Sequence, residues 1–364
     1  MSEEVRLMKG NEALAHAAIR YGVDAYFGYP ITPQSEILET LKAERPWRTT
    51  GMTVMQVESE VSAINMVYGA AATGRRAMTS SSGPGISLMQ EGISYLCGAN
   101  LPCLIVNVMR GGPGLGTIQP SQADYFQAVK GGGHGDYKLY VLAPASVQEM
   151  ADFVAAGFDW AFAHRNPAMI LADGTIGQMM EKVVLPPARP RLSPGQVEEL
   201  YPWACTGTMR HRMAKNRITS LELDAAAMEA KNQDREDRYA RAASDDARHE
   251  EYRTDDADII VVAFGSAARV CTKAVDVARS RGLRLGLLRP VTLWPFPKRA
   301  LAEAARHARG FLVVELNAGQ MIEDVRLSVE GAAPVEHFGR LGSGVILTPD
   351  EVVEAAQSIF GDKI

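Results

Sequence analysis

Residues 58–85 read ESEVSAINMVYGAAATGRRAMTSSSGPG, and the order of elements in them decides the fold. An Ala-rich helical stretch ends in a tight Ala-Thr-Gly turn. A short strand follows, and Ser82-Gly83-Pro84-Gly85 opens another helix. A carboxylate, Glu60, stands near the start of the first helix. A glutamate on a helix is ordinarily a surface residue. Here the glycine-bearing turn and the Ser-Gly-Pro-Gly turn follow it at fixed spacing and mark it as a candidate site residue. Glu58 is the neighbour with which it could be confused.

The same alternation extends outward. Gly10 to Tyr21 suits a helix and Asp24 to Tyr29 a short buried strand. Leu101 to Met109 is the continuous apolar run of a central parallel strand. Tyr137 to Leu142 and Ala168 to Ala172 repeat it, with a helix over Ser146 to His164 between them. Strands alternating with helices predict an α/β domain with a parallel sheet over residues 1–185. Pro186, Pro187, Pro190 and Pro194 mark a boundary. Residues 186–257 read as a linker with a solvated helix, because acids and bases alternate from about Leu221 to Asp256. From 258 the α/β pattern returns, with strands at Ile259 to Phe264, Leu285 to Leu288 and Phe311 to Leu316, predicting a second, smaller domain over 258–364.

Composition narrows the function classes. The chain has 364 residues, 46% hydrophobic and 22% charged, as in an ordinary two-domain enzyme. A net charge of −5 argues against nucleic acid. Met1-Ser2-Glu3-Glu4 begins no apolar leader, and no apolar run is long enough to span a bilayer. The expected location is the cytoplasm, off the membrane. The four cysteines, Cys97, Cys103, Cys205 and Cys271, form no C-x-x-C pair. That spacing argues against a structural metal or an iron–sulfur cluster held by this chain.

Other candidate residues lie where strands end. In Gly28-Tyr29-Pro30-Ile31-Thr32-Pro33, Thr32 and Pro33 read as a helix N-cap followed by proline at the first helical position. A hydroxyl at a helix N-terminus suits an anion. Arg110 follows the apolar strand and precedes Gly111-Gly112-Pro113-Gly114. It sits where open α/β sheets bind ligands, and a guanidinium grips a carboxylate through two bonds. The plain alternative is an ion pair with a local acid. Lys130-Gly131-Gly132-Gly133-His134 reads as a loop at a site or interface, with His134 as a polar loop residue or a substrate contact. Gly265-Ser266-Ala267 lacks the G-x-G-x-x-G spacing of a dinucleotide turn.

Tyr29-Pro30-Ile31-Thr32-Pro33, Glu60, Ser82-Gly83-Pro84-Gly85, Arg110-Gly111-Gly112-Pro113 and Glu315-Leu316-Asn317-Ala318-Gly319-Gln320 together resemble the alpha subunit of 2-oxoacid:ferredoxin oxidoreductases, over essentially the whole chain. The resemblance implies a pyrimidine-binding domain of thiamine diphosphate type and a second domain like the transketolase C-terminal domain. Glu60 would meet the pyrimidine N1′ and favour the imino tautomer. Tyr29, Pro30, Ser82, Gly83 and Pro84 would line the cofactor, while Thr32, Arg110, Gly111 and His134 would face the substrate. It implies coenzyme A-dependent oxidative decarboxylation of a 2-oxoacid to an acyl-CoA and carbon dioxide, with electrons passed to ferredoxin. A beta subunit would supply Mg2+, the diphosphate half of the site and a [4Fe–4S] cluster, and gamma and ferredoxin-like delta subunits would complete the assembly. Residues 114–126 and the GGGHGDY stretch look most like the branched-chain, 2-oxoisovalerate members, with 2-oxoglutarate as the alternative substrate. Half of a non-oxidative thiamine diphosphate decarboxylase and a non-catalytic scaffold are the rival readings.

Overall fold

Leu104–Met109 and Ala168–Asp173 are buried along their whole lengths and form the centre of a seven-stranded sheet. The computed structural model describes residues 4–207 and 215–361. The chain runs β1 (Val5–Lys9), α1 (Gly10–Tyr21), β2 (Ala25–Gly28), α2 (Ser35–Glu44), α3 (Pro46–Thr49), β3 (Thr53–Gln56), α4 (Glu60–Ala72), β4 (Ala77–Ser81), α5 (Gly83–Gly98) and β5 (Leu104–Met109). It continues through α6 (Tyr125–Val129), β6 (Tyr140–Leu142), α7 (Val147–His164), β7 (Ala168–Asp173), α8 (Gly174–Gln178) and β8 (Met180–Val184). Then come α9 (Pro194–Leu200), α10 (Ala225–Asp245), β9 (His249–Tyr252), β10 (Ile259–Val262), α11 (Gly265–Ser280), β11 (Leu285–Pro290) and β12 (Thr292–Trp294). The last are α12 (Lys298–Ala304), β13 (Gly310–Glu315), α13 (Met321–Val329), β14 (Val335–Gly339) and α14 (Pro349–Phe360).

Local chemistry explains where these elements start and stop. The Ala-rich α1 ends at Gly22, whose φ of 79° closes the last turn onto the Ala18 and Ile19 carbonyls, a conformation suited to glycine. Ser59 caps α4 by accepting from the Ser62 N–H, and Ser146 caps α7 by accepting from the Glu149 N–H. Both satisfy donors that a helix start leaves free.

The first sheet has the order β12-β6-β7-β5-β4-β2-β3, parallel except for β12. The second has the order β14-β13-β10-β11-β9, parallel except for β9. One buried cluster covers the α4–α5 face of the first sheet and continues into the second, joining Ile105 and Tyr125 to Phe264 and Phe311. A second cluster holds α1 and α7 on the other face. The α/β class with parallel sheets is therefore as read from the sequence.

Three expectations need correction. Thr32 does not cap a helix. The turn is set by Gln34, whose N–H donates to the Ile31 carbonyl at 3.0 Å, and α2 begins only at Ser35. The drawn boundaries at 185 and 257 are crossed twice. The end of the 186–257 linker supplies β9 to the second sheet, and β12, inside the 258–364 segment, pairs with β6 of the first. The charged helix α10 is also more than solvated. It buries Arg235, Tyr239 and Ala242, and the Tyr239 hydroxyl donates to Asn166 Oδ1 at 2.9 Å. Among the described residues, no helix is long and apolar enough to cross a membrane. Cys97, Cys103 and Cys271 are buried free thiols and Cys205 is half-buried.

Candidate active site

Every candidate residue but His134 lies near the carboxyl ends of the first sheet's parallel strands, where such sheets bind ligands. Beyond β2, the chain turns through Tyr29-Pro30-Ile31-Thr32, with Tyr29, Pro30 and Thr32 exposed. The anchor of this turn is the fully buried Gln34. Its Nε2 donates to the Tyr29 carbonyl at 3.0 Å, and its Oε1 accepts from the Ser80 hydroxyl at 2.6 Å. The Pro33 carbonyl accepts from Asn11 Nδ2 at 2.8 Å and from Gln178 Nε2 at 3.0 Å. Thr32 is thus presented to solvent from a turn pinned on both sides.

Burial separates the two glutamates. Glu58 is exposed, whereas Glu60, the first residue of α4, is 6% exposed. No hydrogen bond reaches the Glu60 carboxylate from the described residues. It lies against the first turn of α5. A Cβ added at Gly85 would sit 2.6 Å from Glu60 Oε1 and 2.0 Å from Ser81 Oγ. Glycine is required there because two polar side chains occupy the space a side chain would need. Gly85→Ala is accordingly expected to displace Glu60 or Ser81, lowering turnover at least about tenfold and stability by about 1–3 kcal/mol. Steady-state rates and a thermal melt of the variant check both, and wild-type values would contradict this packing.

The hydroxyls of Thr79, Ser81 and Ser82 and the Asn107 carbonyl oxygen are buried without a protein partner among the described residues. Orphaned buried groups of this kind mark a place for water or ligand. Ser82 is the residue before α5, and Gly83 and Pro84 form its first turn. Gly83 faces Asp124, since a Cβ there would meet Asp124 Oδ2 at 3.2 Å.

Arg110 is 8% exposed and pairs with no acid among the described residues. Its guanidinium donates to the Thr32 carbonyl at 3.0 Å and to the Leu115 carbonyl at 2.9 Å. It therefore stitches the Thr32 turn to the glycine-rich loop while its charge stays uncompensated. Gly111 admits the close approach of another segment, because a Cβ would fall 2.3 Å from the Gly342 carbonyl oxygen. The structure thus joins Thr32, Arg110 and Gly111 directly. His134 stands apart: it is exposed, and its loop is tied to α5 through the Tyr137 hydroxyl. That hydroxyl accepts from the Gly132 and Gly133 N–H groups and donates to Gln90.

Asp124 is a residue that sequence reading passed over. Its Oδ2 accepts from Asn107 Nδ2 at 3.0 Å. Burial pushes its carboxyl above the usual range, opposed by the Asn107 bond and the Arg110 charge. An acid raised in the folded state contributes stability that is fully present below its unfolded pKa, near 4, and lost as pH rises through the folded value. Asp124→Asn should therefore gain stability over wild type as pH rises from about 4 to about 8. Melting midpoints of both proteins across that range check this, and a pH-independent difference would count against it.

Residues 16–244 match the family model described as pyruvate flavodoxin/ferredoxin oxidoreductase, thiamine diP-bdg, and residues 257–352 match pyruvate:ferredoxin oxidoreductase core domain II. The chain is 48% identical to ketoisovalerate oxidoreductase subunit VorB of Methanothermobacter thermautotrophicus, over 98% of each. Its fold matches the 2-oxoglutarate:ferredoxin oxidoreductase from Magnetococcus marinus, a structure with 2-oxoglutarate, coenzyme A and succinyl-CoA bound. The TM-score is 0.85 and the identity 26%, over 98% of this chain and 65% of that one. A split gene transketolase, at TM-score 0.60 and 15% identity, matches 98% of this chain and 99% of its own and shares the fold alone. By family model and by identity over its whole length, the chain belongs to the pyruvate flavodoxin/ferredoxin oxidoreductase family, among the subunits of the 2-oxoacid:ferredoxin oxidoreductases.

Proposed function

We propose that this chain is the alpha subunit of a coenzyme A-dependent 2-oxoacid:ferredoxin oxidoreductase that acts on a branched-chain 2-oxoacid, 2-oxoisovalerate foremost. The observation that carries the reading is the pairing of two buried, uncompensated groups, Glu60 and Arg110, at one end of the sheet. Thiamine diphosphate fits the first. A carboxylate without a partner beside the close-packed Gly85, with Ser81 and Ser82 hydroxyls unsatisfied, suits the polar edge of an aminopyrimidine. Glu60 and the Ser82-Gly83-Pro84 turn would hold that edge, with Tyr29 and Pro30 beside it. Bound there, the cofactor supplies the nucleophilic carbon and the electron sink that decarboxylation of a 2-oxoacid requires. The protein's own part is to bind and orient. Arg110 receives the substrate carboxylate, using donors left over from its two carbonyl bonds. Thr32 offers a hydroxyl from the adjoining turn, and Glu60 holds a proton-accepting oxygen at the cofactor edge.

The branched-chain preference is supported by the VorB relative and by Leu115. Its carbonyl accepts from Arg110, while 81% of its surface is exposed beside the carboxylate-binding group. An apolar side chain there suits an alkyl substituent better than a second carboxylate. A beta subunit would bring the diphosphate, Mg2+ and [4Fe–4S] groups, and gamma and ferredoxin-like subunits would carry electrons to ferredoxin. The test is viologen reduction by the complex purified anaerobically through this chain, with coenzyme A and a panel of 2-oxoacids. The fastest rate is expected with 2-oxoisovalerate. A fastest rate with 2-oxoglutarate would keep the reaction and discard the substrate. A complex holding thiamine diphosphate and iron yet inert to every acid would overturn the assignment.

A further inference from the structure

The segment from Gln119 to Asp124 is a strap between the two sheets, and Gln122 is its rivet. Gln122 is completely buried. Its N–H donates to the Leu316 carbonyl at 3.0 Å, and its own carbonyl accepts from Asn317 Nδ2 at 2.9 Å. The side-chain amide spans the remaining gap. Oε1 accepts from the Leu316 N–H at 3.1 Å. Nε2 donates to the Phe264 carbonyl at 2.9 Å and to the Asp173 carboxylate at 3.3 Å. Leu316 follows β13, Phe264 follows β10, and Asp173 ends β7, so one side chain ties the carboxyl ends of strands from both sheets. Only an uncharged amide donates and accepts at once with that reach. Nor is there slack around it. Gly265 has φ 57°, and a Cβ there would lie 2.8 Å from both Asp173 Oδ2 and Gln122 Nε2.

The strap leads directly to Arg110. Arg110 bridges Pro120, two residues before Gln122, and the Gly111 N–H donates to the Gln119 carbonyl at 2.9 Å. On the other side, Gln320 holds the strap's exit, accepting from the Phe126 N–H and donating to the Ala123 carbonyl, each at 2.8 Å. Arg110 has no ion-pair partner among the described residues to pin its head, and its two bonds go to carbonyls on the neighbouring turn and loop. Its aim therefore depends on its backbone, and that backbone depends on the strap. Misplacement of a binding group by about 1 Å is costly to catalysis.

We propose that Gln122 is a positioning residue, through which the second domain holds Arg110 in register for the carboxylate of a 2-oxoacid. This assigns the second domain a part in substrate affinity, and it rests on the functional reading above. Two variants test it in the assembled complex. Gln122→Asn withdraws the amide by one methylene. Gly342→Ala presses on the strap from outside, since its Cβ would lie 2.5 Å from Ser121 Oγ. Each is expected to raise KM for the 2-oxoacid by about tenfold, with kcat changed by less than about threefold and KM for coenzyme A unchanged. In a double-mutant cycle with Arg110→Lys, the effects of Gln122→Asn should be less than additive, since both act on one contact. An unchanged KM, equal rises in both KM values, or strict additivity with Arg110→Lys would overturn the proposal. A wild-type complex inert to every 2-oxoacid would instead overturn the functional reading, and this inference with it.

Discussion

Glu60→Gln is expected to cut turnover by about 10²- to 10⁴-fold, the range that a positioned acid–base group supplies, while the protein folds and assembles as before. The carboxylate is 6% exposed and no hydrogen bond reaches it from the described residues, so an amide of the same shape disturbs no structural contact. What is lost is a proton-accepting oxygen at the cofactor edge. The comparison that isolates the chemistry is Glu58→Gln, two residues away and exposed, which should behave as wild type. Anaerobic viologen reduction gives the rates, and thermal midpoint with cofactor content gives the control. Turnover within a few-fold of wild type for Glu60→Gln would remove this residue from the mechanism.

Arg110→Ala should lower kcat/KM for the 2-oxoacid by roughly 30- to 1,000-fold, equivalent to about 2–4 kcal/mol for truncating a charge-assisted contact in a largely buried site. Most of the loss should appear in KM, because a carboxylate is gripped alike before and during reaction. Arg110→Lys should fall between the two. A lysine keeps the charge, but its single head cannot reach both the Thr32 and Leu115 carbonyls and still present a fork to the substrate. Saturation kinetics with the preferred acid measure both variants. A kcat/KM for Arg110→Ala near that of wild type would mean that the substrate carboxylate is held elsewhere.

What the sequence made legible was local. The span of α1 follows from its alanines and the glycine behind it. The buried strands β5 and β7 follow from unbroken apolar runs. Glu60 and Arg110 could be singled out because turn chemistry nearby announces a strand end. Three things were not legible, and each depends on a distant partner. β12 is three residues long and followed by proline, so it carries no periodicity; it is a strand only because β6 lies beside it. Thr32-Pro33 looks like a cap-and-proline start, but the Gln34 side chain reaches Ser80, 46 residues on, and that contact moves the helix start. Gln122 and Asp124 are polar residues in a polar stretch. Nothing in their neighbours reveals that Gln122 meets Asn317, 195 positions away, or that burial pushes the Asp124 carboxyl up.

Because Thr292–Trp294 lies along Tyr140–Leu142, neither half of this chain is a self-sufficient module. A fragment ending near residue 257 would bare the fully buried β6 as an open row of N–H and C=O groups, the kind of border that recruits other chains into aggregates. A fragment beginning there would carry a strand with no sheet to join. The polypeptide therefore has to be synthesised through residue 294 before its first sheet can close, and a nascent chain paused in the charged helix would expose its adhesive flank.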